Sequence, residues 1–380
     1  MNLEQIKEML SLFWFRETVG SYTKPSRMLS IEAFNVLFHS KFGEICNRYK
    51  DAMLFFSGGL DSSLILAYTK SSSISITYHN DAEYRSRKRL LQQSKTPNIE
   101  VTVSPAYAAS LFQDFIEHSS IPHISPFIYS FYILLKKASM QGVRTVITGD
   151  GSDELFCGYL IHYYLWWYSF NHNTEEVFLY GNPTDYSRYL YQRYSNNLDI
   201  CIPQHLGIPE PYLKELLGDC VDVLSYFPKS RAKTSLEQVW EIDKTWTIPR
   251  FQKEYQDLAS SFGINIVSPF TDPEIMDIGE KLPWDQKIQN GVLKYALKES
   301  CRGMLPDWLL DQPKIGLWAP VKEWLKTDAF REVIDQAWNS RIWDLGVNRE
   351  TFRTWLSEED KLEYCWSLIV LAHWWERNIV

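Results

Sequence analysis

Apolar positions along the chain change their period twice. Ile6, Met9, Leu10 and Phe13 recur at helical spacing, and a Ser/Thr/Pro break follows over Ser21–Ser26. The next run predicts an amphipathic helix from Ile31 to about Tyr49, with Phe34, Leu37, Phe38, Phe42 and Ile45 as its inner face. From Met53 the pattern alternates between short apolar runs and helical stretches. Met53–Phe56, ahead of a Gly-Gly turn, predicts a buried strand. Ser62–Thr69 predicts a helix, Ile74–Tyr78 a strand, Glu83–Gln93 a charged helix and Ile99–Val103 a strand. Helices over Ala106–Ile116 and Phe127–Ala138 then lead to a strand at Thr145–Ile147.

Strands separated by helices of this length predict an α/β fold, a parallel sheet with covering helices. Ligands of such sheets bind beyond the carboxyl ends of the strands. After Tyr159 the alternation stops, and the remainder reads as mainly helical, with turns at Gly207–Pro211, Ser268–Pro273 and Gln312–Gly316. No internal repeat, long linker or low-complexity tract is present. The expected organisation is a short helical segment over residues 1–50, then one globule over 51–380. Its sheet half covers about 51–159 and its helical half about 160–380.

Composition adds exclusions. With 380 residues, 45% hydrophobic and 23% charged, the chain has ordinary globular make-up. A net charge of −8 argues against a broad nucleic-acid footprint. The six cysteines (Cys46, Cys157, Cys201, Cys220, Cys301, Cys365) lie far apart without a C-x-x-C pair, as scattered reduced thiols do. The N-terminus lacks a basic region followed by an apolar run, so it does not read as a signal peptide. The most apolar stretches, Tyr163–Phe170 and Cys365–Trp375, fall short of the ~20 residues that cross a bilayer. A cytoplasmic protein with neither a membrane nor a nucleic-acid partner is expected.

The sharpest chemistry lies in Ser57-Gly58-Gly59-Leu60-Asp61-Ser62-Ser63, between a strand and a helix. Two glycines let the backbone turn tightly and approach phosphate oxygens. Free N–H groups at the helix start face the anion, and Ser57, Ser62 and Ser63 add hydroxyls. Asp61 repels phosphate and so is assigned to Mg²⁺. This is not a Walker loop, because no G-x-x-x-x-G-K-[ST] occurs. The string resembles the pyrophosphatase loop of the N-type ATP pyrophosphatases, which implies AMP and pyrophosphate as products and an adenine nucleotide α-hydrolase-like fold.

A second motif, Thr148-Gly149-Asp150-Gly151-Ser152-Asp153-Glu154-Leu155-Phe156-Cys157-Gly158-Tyr159, follows the strand Thr145–Ile147. Three carboxylates within five residues repel one another unless a cation neutralises them, which points to a metal or an ammonium group. GDGSDELFCGY resembles the second signature of the asparagine synthetase C-terminal domain, with Cys157 where Gly is commoner. That family also holds β-lactam synthetases, carbapenam synthetases and lasso-peptide cyclases. The resemblance implies that Asp153 joins Asp61 on Mg²⁺, that Asp150 sits near the reacting centre as an acid or base, that Thr148 and Gly149 contact the ribose, and that Ile76 contacts the adenine.

A third block runs from Leu293-Lys294-Tyr295 through Leu305-Pro306 to Gln312-Pro313-Lys314-Ile315-Gly316, and resembles the family's C-terminal pattern. It implies that Lys314 stabilises charge on the α-phosphate, a role worth several kcal/mol in a dry site. Lys294 reads equally as a phosphate contact or as a helix-surface lysine.

Two departures redirect the substrate. Only about fifty residues precede the phosphate loop and residue 2 is Asn, so an amidohydrolase domain like that of glutamine-using relatives is not expected there. Nitrogen is then expected as ammonia, from a partner protein, or from an amine on the substrate. The D-R-x-S-M and E-x-R elements of aspartate-using enzymes are also missing. Asp243-Lys244, an insertion with Arg250, and Ile266-Val267-Ser268-Pro269-Phe270-Thr271-Asp272 stand there instead. The aromatic block Tyr159–Phe170 is balanced between lining a pocket and packing in the core; His162 within it has a weak claim to proton transfer.

The expectation is therefore an Mg²⁺- and ATP-dependent ligase that adenylates a carboxylate on a small molecule or peptide and forms an amide or lactam, such as a macrolactam in a modified-peptide pathway. Its rivals are an ammonia-dependent asparagine synthetase, an RNA-modifying ATP pyrophosphatase and an idle nucleotide-binding partner.

Overall fold

The computed structural model describes residues 3–10, 27–78, 84–170, 210–218, 234–312 and 318–379. Five parallel strands form one sheet: β1 (Met53–Phe55), β2 (Ser73–Tyr78), β3 (Asn98–Val103), β4 (Thr145–Ile147) and β5 (Asn265–Val267). Their spatial order is β3-β2-β1-β4-β5. The chain steps outward from β1 to β3, then crosses back to place β4 on the other side of β1. That reversal makes the β1/β4 boundary the switch point, where a crevice opens beyond the strand ends. Leu54 pairs with Ile147 there, so the loops leaving the two strands start side by side.

Each described strand predicted before Tyr159 is present within a residue or two of its expected limits. β5 was missed. It lies in the part read as mainly helical, and three residues of Asn-Ile-Val carry too little period-2 signal to register alone. It forms because β4 offers a free edge, and Ile147 pairs with Val267 across it.

The helix Ile31–Arg48 starts on a Ser30 side chain that accepts from the Ala33 N–H. Phe34, Phe38, Phe42 and Ile45 form its inner face as expected, but Leu37 is 42% exposed. The buried stripe follows the 34-38-42-45 spacing, and position 37 falls one step off it. Phe34 and Phe38 meet Phe156 edge-on, and Phe42 packs on Phe270, which ties this helix to both the second motif and the β5 side.

The apolar C-terminal stretch forms the helix Leu362–Asn378, buried from Cys365 to Trp375. It shares a core with β2, β3 and the helices Pro105–His118 and Pro126–Met140 through Trp366, Phe112 and Tyr129. No described helix is long and apolar enough to cross a membrane. Tyr163, Tyr164 and Leu165 of the aromatic block pack with Leu236, Val239 and Trp240 in a separate small cluster. For these three residues the packing alternative holds.

Candidate active site

The phosphate loop leaves β1 at Ser57 and enters the helix Leu60–Thr69 at Gly59. Gly58 has φ +87, a conformation that side chains resist. A Cβ there would lie 2.8–3.0 Å from the Arg87 backbone and Cβ. Ser57 Oγ accepts from the Gly59 N–H at 3.1 Å and lies 3.1 Å from Ser62 Oγ. The helix dipole and N–H groups point out of this turn, which suits an anion. Ser63 Oγ is buried without a hydrogen-bond partner among the described residues, and so is Thr148 Oγ1 across the crevice. Buried hydroxyls without partners are rare in finished cores, and here both belong to predicted nucleotide contacts.

Gly149 lets the second loop reach the first: a Cβ there would stand 3.0 Å from Asp61 Cβ. Ser152 Oγ then donates to Asp61 Oδ1 at 2.7 Å. Between Asp61 and Asp153 lies Lys294. Its Nζ is 2.7 and 2.8 Å from the two Asp61 oxygens, 2.7 Å from Asp153 Oδ1 and 3.1 Å from Ser152 Oγ. Lys294 is only 4% exposed, so the helix-surface alternative for it is excluded. Its backbone sits at φ +55, on the first residue before the helix Tyr295–Ser300. Sparsely populated backbone of this kind costs about 1–3 kcal/mol and persists where surrounding contacts over-determine it.

The three carboxylates of the second motif do not form one cation site. Only Asp153 turns toward Asp61. Glu154 instead accepts from Tyr159 Oη at 2.5 Å. Burial, with the nearby charges of Asp153 and Asp243, pushes the Glu154 carboxyl up to about 8. Asp150 lines a cavity of about 480 Å³ with Thr148, Tyr255, Ile248 and Phe251. Asp153 and Glu154 are successive residues of the helix Ser152–Phe156, whose turn fans them apart, and Asp150 precedes that helix. No group of three or more His, Cys, Asp or Glu poised for a metal occurs among the described residues. Two carboxylates nevertheless fit Mg²⁺, which is commonly held by one or two carboxylates together with substrate phosphates.

The remaining expected contacts divide. Ile76 lies inside β2 opposite Val101, with its side chain in the core, so only its backbone is available to a base. Lys314 lies outside the described residues. Cys157 has φ +59, which is the physical reason a Gly is commoner at that position.

Several supports of the site carry no motif in the sequence. Arg87, 2% exposed, donates to the Ser57 carbonyl at 3.3 Å and to Thr77 Oγ1 at 2.5 Å, bracing the phosphate loop against β2. Lys287 donates to the carbonyls of Leu155 and Gly279 at 3.0 and 2.5 Å beneath the short helix Ser152–Phe156. His162 Nδ1 accepts from the Tyr159 N–H at 3.2 Å, which leaves its proton on Nε2 for Asp243 Oδ2 at 2.8 Å. Asp243 opens a π-helical turn over Asp243–Thr247. With both ring nitrogens engaged and the ring fully buried, His162 holds the motif's end in place and does not face substrate. Only the basic character of Arg87 was visible beforehand, within the charged helix.

The family profile described as asparagine synthase matches residues 50–377. Asparagine synthetase (glutamine-hydrolyzing) 1 of Bacillus subtilis is 23% identical over 365 residues, covering 86% of this chain and 56% of the relative. Putative glutamine-hydrolyzing asparagine synthetases of Mycobacterium bovis and Mycobacterium tuberculosis are 22% identical over 315 residues, covering 73% of this chain and 46% of theirs. The chain thus spans about half the length of the curated relatives it matches. A switch-point crevice built from the phosphate loop and the Asp153 motif, inside a match over most of the chain, leads to one conclusion: this protein belongs to the asparagine synthase family.

Proposed function

We propose that the chain is an AMP-forming carbon–nitrogen ligase. It activates a substrate carboxylate with ATP and passes the acyl group to an amine or ammonia, giving an amide or lactam. The observation that carries this reading is the Asp61–Lys294–Asp153 cluster opposite the Ser57–Ser63 turn. Anion-binding N–H groups and metal-binding carboxylates meet there across one crevice.

Bound Mg²⁺ would supply charge neutralisation on the pyrophosphate, held by Asp61 and Asp153. The turn at Gly58–Gly59 grips the departing phosphates through its N–H groups, and Ser57, Ser62 and Ser63 orient them. Thr148 and Gly149 contact the ribose. Lys314 balances charge on the α-phosphate as the carboxylate attacks, and Asp150 handles the proton of the incoming amine. The cavity beside Asp150 supports a departure from aspartate: Ile45, Tyr49, Ile248, Phe251 and Tyr255 give it an apolar wall suited to a larger acyl or amine component. That wall, set beside the polar Lys253 and Asp272, supports a specialised role such as macrolactam closure on a modified peptide. Cytoplasmic operation, with nitrogen from ammonia, a partner protein or the substrate's own amine, completes the reading.

The test is incubation with ATP, Mg²⁺ and an extract of host metabolites and peptides, with AMP and ADP quantified against Asp61→Asn. AMP with pyrophosphate, lost in the variant, is expected. ADP would overturn the mechanism, and turnover confined to aspartate plus ammonia would overturn the specialised role.

A further inference from the structure

The position of Lys294 has a consequence for the order in which ligands bind. Its ammonium group stands within hydrogen-bond distance of both Asp61 oxygens and of Asp153 Oδ1, the atoms assigned to the metal. A Mg²⁺ ion shared by these carboxylates must lie ~2.1 Å from its oxygens. It would then be inside the shell the ammonium fills, and two cations at that separation repel strongly. Ser152 Oγ, bonded to Asp61 and lying 3.1 Å from Nζ, fixes the ammonium further. Gly158 closes the cluster from outside, for a Cβ there would fall 1.9 Å from Asp153 Oδ1 and 2.2 Å from Lys294 Cε.

We infer that Lys294 is an internal counter-ion that keeps the metal position closed until a polyphosphate arrives. The protein then takes up metal and nucleotide together and has little affinity for the free divalent ion. On nucleotide binding the phosphate charges attract the ammonium, Nζ moves from the carboxylates onto a phosphate oxygen, and the vacated oxygens turn to the metal. The backbone of Lys294 stays in its left-handed conformation, and the flexible side chain makes the exchange. This inference rests on the ATP reading above.

The test uses Mn²⁺ as the metal probe, followed by electron paramagnetic resonance, with and without α,β-methylene-ATP. Wild-type protein is expected to bind Mn²⁺ at least 100-fold more tightly when the analogue is present. Lys294→Met, which removes the ammonium but keeps the chain length, is expected to bind Mn²⁺ without nucleotide at least tenfold more tightly than wild type. Equal Mn²⁺ affinity of the wild type with and without bound analogue overturns the inference alone. So does a folded Lys294→Met protein with no gain. Failure of the analogue to bind at all overturns the ATP reading and this inference with it. Should the Met variant not fold, Lys294→Gln takes its place and is expected to show the same gain without nucleotide.

Discussion

Gly158 lies so close to Asp153 that a methyl group on it would overlap the carboxylate, 1.9 Å from Oδ1. The same methyl would meet Lys294 Cε at 2.2 Å. The last glycine of the second motif is therefore a wall of the ion cluster, chosen for its missing side chain at an ordinary negative φ. Gly158→Ala should displace Asp153 and Lys294 together. We expect AMP formation to fall at least 100-fold, with about 1–3 kcal/mol lost from stability, the usual range for overpacking. Steady-state AMP release and urea denaturation check both numbers.

Gly58 and Gly142 separate two costs of adding a methyl group. Both have positive φ, +87 and +72, but only Gly58 has neighbours, the Arg87 backbone and Cβ within 3.0 Å. Gly142→Ala should cost about 1–2 kcal/mol from the left-handed conformation alone. Gly58→Ala should cost clearly more and raise the KM for ATP, because the loop must lift from Arg87. Equal losses in the two variants would show that the Gly58–Arg87 approach is not tight.

His162 and Asp243 are both fully buried and joined at 2.8 Å. Removing the imidazole takes away the 2.8 Å contact to Asp243 Oδ2, while Thr247 Oγ1 still donates to Asp243 Oδ1 at 3.0 Å. His162→Ala should lose about 2–3 kcal/mol. In a double-mutant cycle with Asp243→Ala, the coupling should reach about 1–3 kcal/mol. If His162 transferred protons, its loss would remove a limb of the kcat pH profile; we expect the profile of any residual activity to keep its shape.

Burial lowers the Lys287 amine to about 8 from an ordinary 10.5. A lysine depressed on folding is charged less readily in the native state, so the unfolded chain binds more protons between pH 8 and 10.5. Stability therefore rises with pH across that window and loses this contribution as pH falls through 8. The slope is at most ~1.4 kcal/mol per pH unit. Lys287→Met should lack the rise, so the wild-type-minus-variant difference in unfolding free energy should slope upward from pH 8 to 10. A flat difference would remove Lys287 from the account.

Legibility in the sequence followed the range of the interactions. β1, β2, β3 and β4 were readable because each is a contiguous apolar run bounded by turn or helix signals. The turn Ser57–Ser63 was readable because phosphate binding by backbone N–H groups needs neighbouring residues in one order. The pairing of Asp61 with Asp153 was implied by resemblance, and the switch point at β1/β4 supplies its geometry. Leu37 was misplaced because a generous apolar face cannot be trimmed without knowing what packs against it.

The sequence alone determined the alternating α/β order and the phosphate turn. Only the tertiary structure brought Lys294, 233 positions from Asp61, between Asp61 and Asp153. It likewise separated Asp150, Asp153 and Glu154 into three surroundings and joined β5 to the edge of β4. Backbone propensity and turn chemistry act over a few residues and leave their mark in local spacing. Burial and charge pairing act between surfaces that meet only after the chain has closed on itself.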